Sequence, residues 1–375
     1  MGTQHIETIV IGGGQSGLAT GYHLKKLGRK FLILDALGRP GDNWRRHYDS
    51  LKLYSPARID GLPDLPFPGP AMALPGKDEV ADYLEAYAAH HELPVRSGTH
   101  VTRVARDGDG FVVETTSDTF VTSNVVVATG TYGKPWTPPI ADQLDASIVQ
   151  LHSSDYKNPS QLQPGPVLVV GAAHSGADVA LEVAATHVTY LSGRNTGEMP
   201  FTLEGPVVRF LSPVLRFATR KVVNLSTPIG RRAQSEIRAH GGPLLRVREK
   251  DLTGAGVRWL QERTEAVVGG LPQLAGGRVL DVRNVVWCTG FRHDFGWIDL
   301  PIMGDDGWPL ERRGVVESQP GLYFMGLAFQ YAFASMLILG AGQDAQYVAR
   351  HLDARMHSLA ASAVTVEQLG GHVRL

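Results

Sequence analysis

The stretch 6–17, IETIVIGGGQSG, decides how this chain folds. A short apolar strand runs into Gly12-Gly13-Gly14 and then into a helix at Ser16-Gly17. Gly12, Gly14 and Gly17 match the G-x-G-x-x-G spacing of a dinucleotide turn. The first glycine makes the tight turn, the second lets backbone approach a pyrophosphate, and the third packs helix on strand. The helix start then offers unpaired N–H groups and a positive dipole end to the phosphates. Gln15 and Ser16 therefore join the three glycines as candidate cofactor-binding residues. Leu18, Tyr22, Leu24 and Leu27 supply the helical apolar spacing, and the strand 30–34 ends at Asp35. Asp35 lies close to the ~20 residues past the turn at which an acid holds a ribose hydroxyl.

Composition bounds the rest. The 375 residues are 43% hydrophobic and 19% charged, which suits a globular protein of about two domains. A formal net charge of −1 leaves no broad basic face for nucleic acid. With one cysteine, neither an intrachain disulfide nor a redox dithiol can form. No run approaches the ~18 apolar residues of a membrane span, and the first strand begins too early for a secretory leader. A reducing cytoplasm is the expected location.

Downstream of Asp35, Gly41, Asn43, Trp44 and Arg45 stand where a flavin would lie, with Leu53 close behind. A helix is expected over 77–91, then strands 100–105 and 110–115 around the turn DGDG, with Val101 a further cofactor contact. The buried strand 124–128 ends in Ala128-Thr129-Gly130. Prolines between 135 and 166 mark crossings between domains, and His152 and Tyr156 stand among them. A second turn follows the strand 167–170: Gly171-Ala172-Ala173-His174-Ser175-Gly176. Alanine replaces its middle glycine. Its partner strand ends at Ser192, then Gly193 and Arg194, at the same remove as Asp35 from the first turn. An acid would repel a 2′-phosphate and a guanidinium binds it, so the first turn is expected to take FAD and the second NADPH.

Between 196 and 279 lies an insertion. Residues 204–223 place Val207, Phe210, Leu211, Val214, Phe217 and Ala218 on one stripe opposite Arg209, Arg216 and Arg220. Such a helix lies on a membrane surface, docks on its own domain or forms a lid over a substrate pocket, and one of the last two is the expectation. Pro213 should bend it. The strand 284–288 ends Cys288-Thr289-Gly290-Phe291, echoing Ala128-Thr129-Gly130. A last helix is expected from Ser335, with Ser335 and Leu337 offering N–H groups to the edge of a flavin ring.

Taken in order, GGGQSG, GDNW, VVVATG, HSSDY, GAAHSG and CTGF resemble the flavin-containing monooxygenases, in particular their small bacterial branch described as cation-transport-associated flavoproteins. The resemblance covers almost the whole chain. It implies an α/β protein with two Rossmann-like dinucleotide-binding domains, the NADPH domain inserted into the FAD domain. The boundaries would be 1–157 and 282–375 for FAD and 158–281 for NADPH. It implies reduction of FAD by NADPH and transfer of one atom of molecular oxygen, through a C4a-hydroperoxyflavin, to a small soft nucleophile. Gly130, Thr289, Gly290 and Ser175 enter as cofactor contacts on the same ground. Three departures stand out. Ala146 and Ile148 replace the Phe and Gly of the inter-domain signature, which keeps His152 and Tyr156. Tyr54 stands where many members carry an asparagine beside the flavin. Ala173 and His174 stand where Gly and Asn are usual. Tyr54 and His152 are the catalytic candidates. The alternatives are an NADPH oxidase or quinone-type reductase releasing hydrogen peroxide, and a non-enzymatic NADPH sensor. Monomer or homodimer stays open.

Overall fold

The computed structural model describes residues 2–199, 202–203, 205–240 and 243–370. Two all-parallel sheets share one plan. In the first, the order is Leu322–Phe324, Asn124–Val127, Thr8–Ile11, Phe31–Leu34 and Val95–Arg96. In the second it is Val149–His152, Asn284–Trp287, Val167–Val170, Thr189–Ser192 and Arg258–Leu260. Each central strand is buried along its whole length, as a sheet covered on both faces requires. The duplication extends to register: Thr8 to Ile11 pair with Asn124 to Val127, and Val167 to Val170 pair with Asn284 to Trp287. A third, mixed sheet carries the meander Val101–Asp107, Gly110–Thr115 and Thr119–Thr122.

The second sheet is wider than the sequence limits of 158 and 281 allow. Val149–His152 pairs with Asn284–Trp287, which pairs with Val167–Val170, so both strands lie in the second sheet. Neither carries a glycine turn, and for that reason neither could be assigned to a sheet from pattern alone. The two crossings between the units run side by side, Lys134–Pro135 pairing antiparallel with Phe291–Arg292.

The closing helix begins later than expected. Phe333–Met336 is a 3-10 turn, and the α-helix is Ile338–Gly370. The Ser335 hydroxyl accepts the Tyr331 and Ala332 N–H groups, which caps the start of the 3-10 turn, and extended Leu337 separates the turn from the helix. The long helix packs on Gln15–Lys26, where Arg29 donates to Asp353 at 2.6 Å and His23 meets the Gly342 carbonyl at 3.0 Å. Lys77–His90 pins the loop around Asp60: Tyr83 and Tyr87 donate to the carbonyls of Leu65 and Pro63.

In the insertion, Pro206–Phe217 is helical straight through position 213, and a wider π turn, Ala218–Val222, follows. The expected helix start at Glu204 and the side chains of Pro213 and Arg216 lie outside the described residues. The expectation that the apolar stripe docks is not met. Phe210 is 76% exposed and Phe217 61%. Polar contacts seat the insertion instead. Leu225 N–H donates to the Tyr331 carbonyl, Phe333 N–H to the Val223 carbonyl, and Arg238 to the Ala328 carbonyl. The insertion therefore rests on the first unit, beside Ser335.

Candidate functional site

The first turn shows why its glycines are glycines. Gly12 has φ +110°, and a side chain there would meet the Ala128 carbonyl oxygen at 2.6 Å. At Gly17 a Cβ would lie 1.9 Å from the Gly12 oxygen. Gly14, the helix N-cap, is open, with nothing within 4 Å of an added Cβ. Two positions are thus closed by protein, and the one left open faces the helix start where a pyrophosphate would sit. Gly13, which the spacing does not require, is explained by Asp35: its N–H donates to Oδ2 at 2.7 Å, and a Cβ would strike that carboxylate. Asp35 also accepts the Leu37 N–H at 2.8 Å. Each carboxylate oxygen keeps a lone pair for a ribose hydroxyl. Gln15 is half-buried at the first helical position, and Ser16 is buried behind it.

The second turn repeats this geometry. A Cβ on Gly171 would meet the Cys288 oxygen at 2.3 Å, and one on Gly176 the Gly171 oxygen at 1.7 Å. Ala173 is the N-cap, with φ −83° and ψ −169°, against φ −79° and ψ −174° at Gly14. Neither is left-handed, so alanine at this position carries no backbone strain. Ser175 lies in the first turn of the helix His174–Val183. Gly193 packs on the turn itself, a Cβ there meeting the Ala172 nitrogen at 2.9 Å. Arg194 follows, exposed, and no group among the described residues engages its guanidinium. Ser192, at the end of the partner strand, is buried, and its hydroxyl donates to the Glu262 carbonyl at 2.9 Å.

Around the flavin position the aromatic loop divides. Gly41, at φ +86°, touches Ala81 so closely that no side chain fits. Asn43 is exposed, and Trp44 packs against the cores of both units with its indole N–H buried and unpartnered. Arg45 is held by acids. It donates to Asp42, Asp82 and Glu85, at 3.0, 2.7 and 2.7 Å, and so clamps the loop to Lys77–His90. Leu53 and Val101 are buried, in separate cores. Gly130 and Gly290 have φ near +80° and open faces at equivalent strand ends. Thr289 donates to the Trp136 carbonyl at the crossing. Leu337 is half-buried in extended backbone between the 3-10 turn and the last helix.

The two catalytic candidates lie at the junction. His152 contacts the Gly290 carbonyl through Nε2 at 3.0 Å and the Ser154 hydroxyl through Nδ1 at 2.9 Å. Burial lowers its pKa, which keeps the ring neutral, so it braces the crossing. Tyr156 donates to Glu182 at 2.9 Å within the second unit. Tyr54 donates its hydroxyl to Asp178 Oδ2 at 2.8 Å and its ring lies 4.7 Å from that of His174. Tyr48 and Arg246 reach the same oxygen at 3.1 and 2.8 Å. Asp178 is 3% exposed, and its Oδ1 has no partner. This buried carboxylate, two residues beyond Gly176, ties loop, second turn and insertion together. It was missed in the sequence, where its one signal was a charged residue on the apolar face of a short helix; Arg246 gave none. His174 completes the knot, contacting the Pro243 carbonyl at 2.7 Å, its pKa lowered by burial. Burial pushes the Cys288 thiol up to about 12, which removes it as a nucleophile.

Comparison with known proteins fits this geometry. A family model described as pyridine nucleotide-disulphide oxidoreductase matches residues 9–204. An "Uncharacterized oxidoreductase CzcO-like" from Geobacillus kaustophilus is 39% identical over 92% of this chain and 98% of its own. A "Probable indole-3-pyruvate monooxygenase YUCCA3" from Arabidopsis thaliana is 28% identical over 92% of this chain and 86% of its own. The solved flavin-containing monooxygenase from Stenotrophomonas maltophilia superposes with a TM-score of 0.73 at 25% identity, covering 94% of this chain and 99% of that one. No helix among the described residues is long and apolar enough to cross a membrane. With two glycine turns of one design and no cysteine pair, the chain belongs to the pyridine nucleotide-disulphide oxidoreductase family, in its flavin-containing monooxygenase branch, and is an oxidoreductase.

Proposed function

We propose that the protein is an FAD-dependent, NADPH-using monooxygenase that delivers one oxygen atom to a small soft nucleophile, a nitrogen or sulfur centre. The observation that carries this reading is the steric duplication of the turns. Both close at the first and last glycine against a neighbouring strand or the turn itself, and the middle position is open at Gly14 and takes a methyl group in the same backbone conformation at Ala173. FAD would be held by Gly12, Gly14, Gln15 and Gly17, with Asp35 toward its ribose. NADPH would be held by Gly171, Ser175 and Gly176, with the unengaged Arg194 toward the 2′-phosphate. FAD, when bound, supplies the redox chemistry, accepting a hydride from NADPH and activating molecular oxygen. The chain's own work is to hold the phosphates at two helix starts, to lock the units through Asp178, and to cover the junction with the insertion.

A second reading has one specific support. Tyr54 has a single hydroxyl hydrogen, and it is donated to Asp178. Burial raises its pKa further, so it stays protonated and committed. It then offers no donor to activated oxygen, which favours an NADPH oxidase releasing hydrogen peroxide. Measuring hydrogen peroxide per NADPH consumed, with and without candidate amines and thioethers, separates the two. A monooxygenase consumes NADPH with matching oxygenated product and little peroxide; peroxide equal to NADPH under every condition would sink the first reading.

A further inference from the structure

The insertion carries an exposed apolar face that neither unit covers. Val207, Phe210, Leu211, Val214 and Phe217 are 43%, 76%, 46%, 59% and 61% exposed along the single helix Pro206–Phe217. Val222 in the π turn that follows and Ile229 at the start of the next helix, Pro228–His240, are exposed as well. A stripe of this size, left in water, marks a contact surface. Its occupant is indicated by charge. Within 205–240 the sequence has Arg209, Arg216, Arg220, Lys221, Arg231, Arg232 and Arg238 against a single acid, Glu236, although the whole chain is nearly neutral. Among the described residues, the charged ends of Arg209, Lys221 and Arg232 have no partner, and all three residues are exposed.

We propose that this segment is a peripheral docking surface for an anionic lipid bilayer. A short helix with aromatic and aliphatic residues on one side and unpaired cations around it lies in the interface plane, its apolar side among the acyl chains and its cations at the headgroups. A second copy of the chain would bring two equally cationic segments together, and like-charge repulsion opposes that contact. Attachment leaves the glycine turns untouched, since the segment joins the first unit through Leu225, Phe333 and Arg238, away from the stripe.

The test is co-sedimentation of the flavin-loaded full chain with phosphatidylcholine vesicles, with and without phosphatidylglycerol, over a salt series. The expected result is at least about tenfold more bound protein on the anionic vesicles, falling as salt rises. The paired substitution Phe210→Ser and Phe217→Ser should abolish binding while flavin content and Tm stay as in the parent, because both rings are outside the core. Lys221→Glu with Arg232→Glu should weaken it. Equal binding to neutral vesicles, or binding that survives the phenylalanine substitutions, would overturn the proposal. So would a parent that ignores vesicles and sediments as a dimer which those substitutions convert to monomer.

Discussion

At the scale of single residues, the turns separate two kinds of glycine. Gly17 is closed by the Gly12 carbonyl and Gly14 is open. Gly17→Ala forces the helix off the strand, and overpacking of this kind costs about 1–3 kcal/mol or more. It should lower Tm and flavin content together. Gly14→Ala should leave Tm of the flavin-free protein unchanged while weakening FAD binding, because Ala173 shows that the conformation accepts a methyl group. Equal loss of stability in both variants would refute the distinction. Asp60 gives a pH-dependent case. Burial raises its carboxyl from 3.8 to about 7, opposed by the Ser55 hydroxyl. The fold favours the protonated form, so its contribution to stability is complete below pH 3.8 and is lost as pH rises through about 7. Asp60→Asn should therefore raise Tm at pH 8 and leave it nearly unchanged at pH 4. A lower Tm at pH 8 would contradict this. Legibility at this scale followed local rules: the glycine spacing and the acid after the second strand are set by backbone geometry close in sequence. The hydrogen bonds of Arg45 and Ser192 were not legible because their partners, Asp82 and Glu262, come from distant segments.

At the scale of elements, the knot at Asp178 joins three segments, the loop, the helix of the second turn and the insertion, that also share one apolar cluster. One oxygen takes donors from Tyr48, Tyr54 and Arg246, and the other takes none. Removing one partner of a buried pair typically costs 3–5 kcal/mol, because the remaining charge is uncompensated. The two tyrosines stay in place here, so Arg246→Met should cost roughly 2–4 kcal/mol in urea unfolding. Adding Asp178→Asn to Arg246→Met should recover part of that loss. Strictly additive losses would show that the pair is not coupled. This element was hidden in the sequence because a buried carboxylate is recognisable only once its donors are known. The helix Pro206–Phe217 failed for another reason. Its periodicity is correct, but periodicity defines an apolar face and says nothing of what covers it.

At the scale of the whole molecule, two units of one design are joined by paired crossings. The strands Asn124–Val127 and Asn284–Trp287 show how closely the plan repeats, each beginning in a buried asparagine beside its glycine strand. The order of motifs displayed this duplication, since each turn is local. The extent of the second sheet was not displayed, because Val149–His152 joins it only through pairing with a strand far along the chain. Everything functional rests on the first turn gripping FAD and the second gripping NADPH. The direct measurement is an anaerobic titration of the FAD-loaded protein with NADPH and NADH, following the visible flavin band, on the parent and on Arg194→Ala. The account expects NADPH to bleach the flavin at low concentration, NADH to need far more, and Arg194→Ala to raise the requirement for NADPH while barely moving that for NADH. A flavin that neither nucleotide reduces, or an Arg194→Ala effect equal for both, would contradict it.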